Sequence, residues 1–166
     1  MSKGIDIPID DLVTKFESNL WTGNNNVFRG RIQRLESAEG NTTPQWFNPV
    51  SNRYEDVLLN KFVHCTSFFD VQPNEVYNSR FEATVWICFA VNLVKLYPSV
   101  TERATEYAHE DAIKAIKKYG KGFKITGIVR GLPAFAEYER VKQTDNMNEF
   151  YLFRVEASLK YPQNCN

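Results

Sequence analysis

From Phe81 to Tyr97 the chain reads FEATVWICFAVNLVKLY and breaks at Pro98. At period two, Phe81, Ala83, Val85, Ile87, Phe89, Val91 and Leu93 fall on one side, and Glu82, Thr84, Trp86, Cys88, Ala90, Asn92 and Val94 on the other. Alternation with β-branched and aromatic residues is the pattern of a half-buried strand. The run is roughly twice the usual five or six residues, which predicts a bend or a bulge. A second alternating run, Phe150 to Tyr161, places Tyr151, Phe153, Val155, Ala157, Leu159 and Tyr161 opposite Leu152, Arg154, Glu156, Ser158 and Lys160. The two runs are expected to be antiparallel neighbours at the centre of one sheet.

Around that pair the remaining elements can be placed in order. Pro8 disfavours helix at Ile7, so residues 1–8 read as an extended arm. Asp10 or Asp11 then caps a helix carrying Ile9, Leu12, Val13, Phe16 and Leu20 at helical spacing, ending near Trp21 and Thr22. Val27 to Leu35 reads as a strand with Arg29 and Arg31 on one side and Arg34 on the other. Such charges suit a solvated edge strand that resists aggregation, or a basic stripe facing DNA or an acidic partner. Residues 36–53 shift to Ser, Asn, Thr, Gly and Pro and form a long loop carrying Trp46 and Phe47. That loop either folds onto the core or presents its aromatics to a partner.

Residues 54–60 are too short a stretch to assign. Lys61 to Asp70 alternates again, and Pro73-Asn74 turns the chain toward the Phe81 run. Beyond Pro98, Ser99 and Glu102 form a capping box for a helix over 101–119, with Gly120 just past its end. Ala104, Ala108, Ala112, Ala115, Ile116 and Tyr119 make a narrow stripe that lets this helix lie close to a sheet. Its acids cluster at the start and its lysines at the end, which complements the helix dipole. Phe123 to Ile128 is a short strand. Residues 131–148 are a second long connection, with a hairpin extension over Ala134–Val141, and residues 162–166 are a frayed tail.

A chain of 166 residues is one domain's worth, and no linker, repeat or low-complexity block divides it. Lys+Arg and Asp+Glu balance at 20 each, so no global field attracts nucleic acid or an anionic membrane. Cys65, Cys88 and Cys165 are widely spaced, with no CxxC pair and only two histidines, which argues against structural zinc. They read as free thiols in a reducing compartment. No apolar run approaches the roughly 18 residues of a membrane span, and the expectation is a soluble chain made in the cytosol without a cofactor.

The usual catalytic constellations are missing. Gly120 and Gly122 come after a helix rather than before one, and no GxSxG, HExxH or calcium-loop pattern occurs. His64 and Cys65 are adjacent on a strand and point to opposite faces. A non-enzymatic role is expected.

WICFAVNLVKLYP at 86–98, the helix after it and the closing EFYLFRVEASLKYP at 149–162 carry a resemblance. So do VFRGRIQRL, Pro44-Gln45-Trp46-Phe47 and NRYEDVLLNKFVHCTSFF upstream. In this order they resemble the tail-terminator (tail-completion) and neck or connector ring proteins of tailed bacteriophages, including phages of Bacteroidetes hosts. The resemblance implies a single α+β domain with an antiparallel sheet and flanking helices. It implies a subunit of a homo-oligomeric ring, six-fold or twelve-fold, located in the virion. Such a ring contacts portal, connector or tail proteins and surrounds DNA without sequence-specific binding or a membrane. This chain departs from the pattern in lacking an acidic excess for a DNA-repelling lumen.

Contacts of such a subunit are expected at the arm 1–8, the loop 36–53 and the connection 131–148. Trp46 and Phe47 are the expected anchors, and Arg29, Arg31 and Arg34 the charged partners. Two rival readings stand beside this one. A binding module could grip a protein or nucleic acid with the Trp46/Phe47 loop. A small-molecule enzyme needs a polar pocket that the sequence does not place.

Overall fold

The two long alternating runs pair with each other. A computed structural model, describing residues 3–78, 80–138, 141 and 149–162, sets Phe81 opposite Tyr161 and continues without a break to Val91 opposite Tyr151, antiparallel. In chain order the elements are α1 (Asp6–Asn19), β1 (Asn26–Arg31), β2 (Gln33–Glu36), β3 (Thr42–Asn48), β4 (Arg53–Asp56) and β5 (Cys65–Asn78). Then come β6 (Arg80–Val91), α2 (Leu93–Leu96), α3 (Ala104–Tyr119), β7 (Phe123–Arg130), a 3-10 turn at Leu132–Phe135, and β8 (Tyr151–Tyr161). The larger sheet has the order β1-β5-β6-β8-β7 and the smaller β2-β3-β4. This is a single α+β domain whose sheets are antiparallel except that β1 runs parallel to β5.

Alternation sorts the core into two layers. On one face of the larger sheet Ala83, Val85, Ile87, Phe89 and Val91 join Phe153, Val155 and Leu159 under α1 and α3. The alanine stripe is what admits α3: Ala108, Ala112, Ala115 and Ile116 are buried against the sheet. Phe16 of α1 reaches into this layer, with ring centroids 5.6 Å from Phe28 and 6.0 Å from Phe89. On the opposite face Phe68, Cys88, Ala90 and Leu152 are covered by Ala134, Phe135 and Tyr138, and by Ile32, Val57 and Leu59 beside the small sheet. Cys65 lies in the first layer and Cys88 in the second, both as free thiols, and burial pushes both pKa values up. Cys165 and the tail from 163 onward lie outside the described residues.

Several local expectations are corrected. Residues 1–8 are not an extended arm, because α1 begins at Asp6. Pro8 sits in the first turn, where its missing N–H would have had no intrahelical acceptor, and the early start buries Ile5 and Ile9. Residues 36–53 are not one long loop, since β3 and the first residue of β4 lie within them. Pro73-Asn74 does not turn the chain. The three residues between Val71 and Glu75 oppose the single residue between Val85 and Ala83, so they form a bulge and β5 continues to Asn78.

The Phe81 run ends as a strand at Val91, because the Asn92 side chain accepts from the Lys95 N–H (3.1 Å) and caps α2. The Ser99–Glu102 box does not form; α3 begins at Ala104 after Arg103, which has φ 54° and no capping side chain. The hairpin expected over 134–141 is replaced, in its described part, by the 3-10 turn and the buried Tyr138 and Val141. Residues 139–140 and 142–148 lie outside the described residues.

One buried polar group carries a pH dependence. His109 on α3 is 3% exposed, its Nε2 lies 3.0 Å from the Tyr151 hydroxyl, and its Nδ1 has no hydrogen-bond partner. Burial and the Arg130 charge lower its pKa from 6.5, against the opposing pull of Glu106. The unfolded chain therefore takes up a proton near pH 6.5 while the folded chain does not. Stability is full above that value and falls as the pH drops below it, the loss saturating below the folded pKa. Urea melts between about pH 7 and 5.5 should show a decline that is smaller in His109→Gln. Equal slopes for the two proteins would remove His109 as the cause.

Candidate functional site

The five residues singled out from the sequence sit around the junction of β1 with the small sheet, and a bulge decides where the two arginines of β1 point. Phe28 and Arg31 of β1 are set opposite Ser67 and Phe69 of β5, so β1 holds one extra residue there. A one-residue shift reverses the facing of every later position on the strand. Arg29 and Arg31 therefore do not share a side. Arg29 lies with its guanidinium carbon 3.5 Å from the Trp46 ring centroid, whereas Arg31 swings to α1 and meets Asp6 at 3.5 Å. Gly30 between them lets α1 come close: a Cβ there would lie 3.2 Å from Asp10 Oδ1.

β2, β3 and β4 form an antiparallel meander whose two faces differ. Gln33 donates to Gln45 (3.0 Å), and Gln45 donates to Asp56 (2.9 Å), a polar rung across all three strands. On the same face Phe47 sits opposite Tyr54, their rings edge to face at 5.4 Å, and both are about half exposed. Trp46 points the other way and packs, partly buried, against the second core layer. The two neighbouring aromatics therefore differ in role. Trp46 is shared between core and surface, and Phe47 is displayed.

Arg34 is engaged inside the molecule. Its Nε lies 2.9 and 3.1 Å from the Asp70 carboxylate oxygens, one Nη reaches Gln72 (3.0 Å), and the other reaches Glu137 (2.8 Å). Asp70 is 1% exposed and also accepts from the Tyr138 hydroxyl. Burial opposes the Arg34 charge, but hydrogen bonding and attraction from Asp70, with Glu137, outweigh it and raise the pKa. Trp86 lies beneath this network, with the Arg154 guanidinium 3.6 Å from its ring centroid. Arg154 in turn binds Glu156 (2.7 Å) and the Ala134 carbonyl (3.3 Å). Arg29 is shifted the other way, its pKa lowered by burial beside Trp46 against the pull of Glu55.

These elements enclose an open groove of about 960 Å³, lined by Arg31, Arg34, Trp46 and Phe47 together with Tyr54, Pro49, Asp6, Asp10 and Asp70. It gathers four of the five expected residues, and Arg29 backs Trp46 in the adjoining hollow. Tyr54 and Pro49 are additions. The signal for Tyr54 was its place in a short aromatic-acidic stretch after Asn52, which takes a positive φ of 54° at the β3–β4 turn. Chemically the groove sets the Trp46, Phe47 and Tyr54 rings beside the Arg31–Asp6 ion pair, both of whose side chains are nearly half exposed. That suits an apolar side chain next to a polar or charged group on a protein segment. Among the described residues no group of three or more His, Cys, Asp or Glu could hold a metal, and no helix is long and apolar enough to cross a membrane. No family model matches the chain, nor does any curated protein or solved structure.

Proposed function

We propose that this chain is a structural, non-catalytic ring subunit of a tailed bacteriophage. It would be a tail-terminator-like or neck protein that joins neighbouring virion proteins around the DNA channel. The observation that carries the reading is the groove, in which a displayed aromatic pair and an exposed arginine are held on a rigid α+β core. A ring requires head-to-tail contact between two different patches of the same subunit. The groove is one such patch. The far half of the β5–β6 hairpin is the other, continuing past the last β1 pairing at Phe69 and exposing Val76 and Tyr77 at 63% and 67%.

Phe47→Ala tests this directly. Phe47 is 45% exposed, so its truncation should cost the isolated subunit about 1 kcal/mol or less while reducing self-association. Trp46→Ala should cost more, on the order of 2–3 kcal/mol, because it also uncovers the second core layer and Arg29. Mass photometry over a range of concentrations reads assembly, and thermal melts read stability. A chain that stays monomeric at all concentrations, from a gene with no portal or tube genes beside it, would overturn the reading. So would a Phe47→Ala chain that assembles like its parent.

A further inference from the structure

We propose that the groove between α1 and α3 binds the phosphate backbone of duplex nucleic acid. Two depressions meet at Tyr119: one of about 550 Å³ lined by Lys15, Arg80, Lys121 and Lys160, and one of about 420 Å³ lined by Lys114 and Lys118. The two depressions share Tyr119 and between them are lined by six cations, in a chain whose acidic and basic residues balance at 20 each. The carboxylates in the lining are Asp11 and Asp111, and Asp111 is occupied by the Tyr97 hydroxyl (2.5 Å) and the Trp21 indole N–H (3.2 Å).

Lys114 is paired with Glu110 (3.2 Å) and Lys160 with Glu82 (3.7 Å). Among the described residues, Lys15, Arg80, Lys118 and Lys121 have no carboxylate within ion-pair distance. Lysines in the last turn of α3 also favour its dipole, which is sufficient reason for Lys117 and Lys118. It does not account for Lys15 on α1, Arg80 at the start of β6 or Lys160 near the end of β8, which reach the same groove from other elements.

The residue types separate phosphate from carboxylate ligands. Five of the six cations are lysines, compact point charges without the planar fork that grips a carboxylate through two bonds. Sequence-independent phosphate binding needs only such charges, and it gains from releasing counterions. Tyr119 is partly buried and its hydroxyl donates to Asn19 (3.1 Å), so its ring is not a free stacking platform. The groove therefore fits a backbone rather than unstacked bases. The inference requires no ring, and it is tested on the isolated subunit.

Fluorescence anisotropy with a labelled duplex of about 20 base pairs, between about 50 and 200 mM KCl, measures affinity and its salt slope. Binding should weaken steeply with salt. Lys15→Gln/Lys121→Gln, both exposed, should flatten the logarithmic slope by about 2, roughly 0.9 for each phosphate no longer neutralised. Arg53→Gln, an exposed change on the small sheet, should leave the slope unaltered. Circular dichroism confirms that each variant is folded. No binding at the lowest salt, an unchanged slope in the double variant, or an equal effect of Arg53→Gln would each overturn the proposal. Tighter binding to labelled polyglutamate than to the duplex would assign the groove to an acidic protein instead, and a single strand bound more tightly than the duplex would refute backbone-only recognition.

Discussion

Replacing Arg34 by methionine should destabilise the fold by about 3–5 kcal/mol, read from urea or guanidinium unfolding. The size of the effect comes from the partner rather than from the arginine. The Arg34 side chain is 25% exposed, but the Asp70 side chain is 2% exposed and pairs with it at 2.8 Å. Without the guanidinium, Asp70 keeps the Tyr138 hydroxyl but loses its countercharge beneath Phe135 and Phe68, whose rings pack around Tyr138. An uncompensated buried charge costs several kcal/mol, whereas a solvated surface pair is worth about 0–1. Arg34→Met/Asp70→Asn should therefore recover most of the stability, since the amide still accepts from Tyr138 and carries no charge. A cost below about 1 kcal/mol for the single change would show that water reaches Asp70 and that the pair is only surface decoration.

That pair also has a structural consequence. Arg34 lies in the first strand of the small sheet and Asp70 in the larger one, so their pairing fixes how the meander sits on the core. The groove walls depend on this placement, because Trp46, Phe47 and Tyr54 all belong to the meander. Arg34 therefore acts on the groove by holding its wall, while Phe47 and the half-exposed Arg31–Asp6 pair face a partner. An Arg34 variant that failed to assemble would not separate the two roles. Phe47→Ala does, because it leaves the Arg34–Asp70 pair untouched.

Alternation made the centre of the fold legible. On β6 and β8 each inward position is apolar over a long span, and a one-residue slip would expose the whole set, so only one pairing buries it. The alanine stripe of α3 was equally plain, since close helix–sheet packing leaves room only for small residues. The local breaks in pattern were harder to see. Nothing adjacent to Arg29 announces that β1 takes one more residue than β5, although Gly30 is a residue type that marks bulges. Thr42, Thr43 and Pro44 gave β3 the composition of a loop, and its pairing with β2 and β4 is a tertiary fact. Arg34 and Asp70 are 36 positions apart, and no local signal links them. The basic groove was hidden for the same reason: its cations come from separate elements, so a count over the chain sees only neutrality.

Phe89→Ala should cost about 3–5 kcal/mol, and it tests the layer on which everything else rests. Phe89 is fully buried. Its ring stacks on Phe153 at 4.9 Å, meets Trp21 edge-on at 6.0 Å and lies 6.0 Å from Phe16. It therefore joins β6, β8, α1 and the chain just after α1 at one point. Truncation leaves a cavity between rings that α1 and the sheet hold apart, so collapse restores little of the packing. Phe89→Leu should cost less, because it keeps much of the volume. Phe62 supplies the contrast: the same residue type, 68% exposed, should lose no more than about 0.5 kcal/mol on truncation to alanine. Denaturant melts of the three variants should give this order with similar m-values. If Phe89→Ala and Phe62→Ala cost the same, the period-two assignment of β6 is wrong and its inward face is not the core.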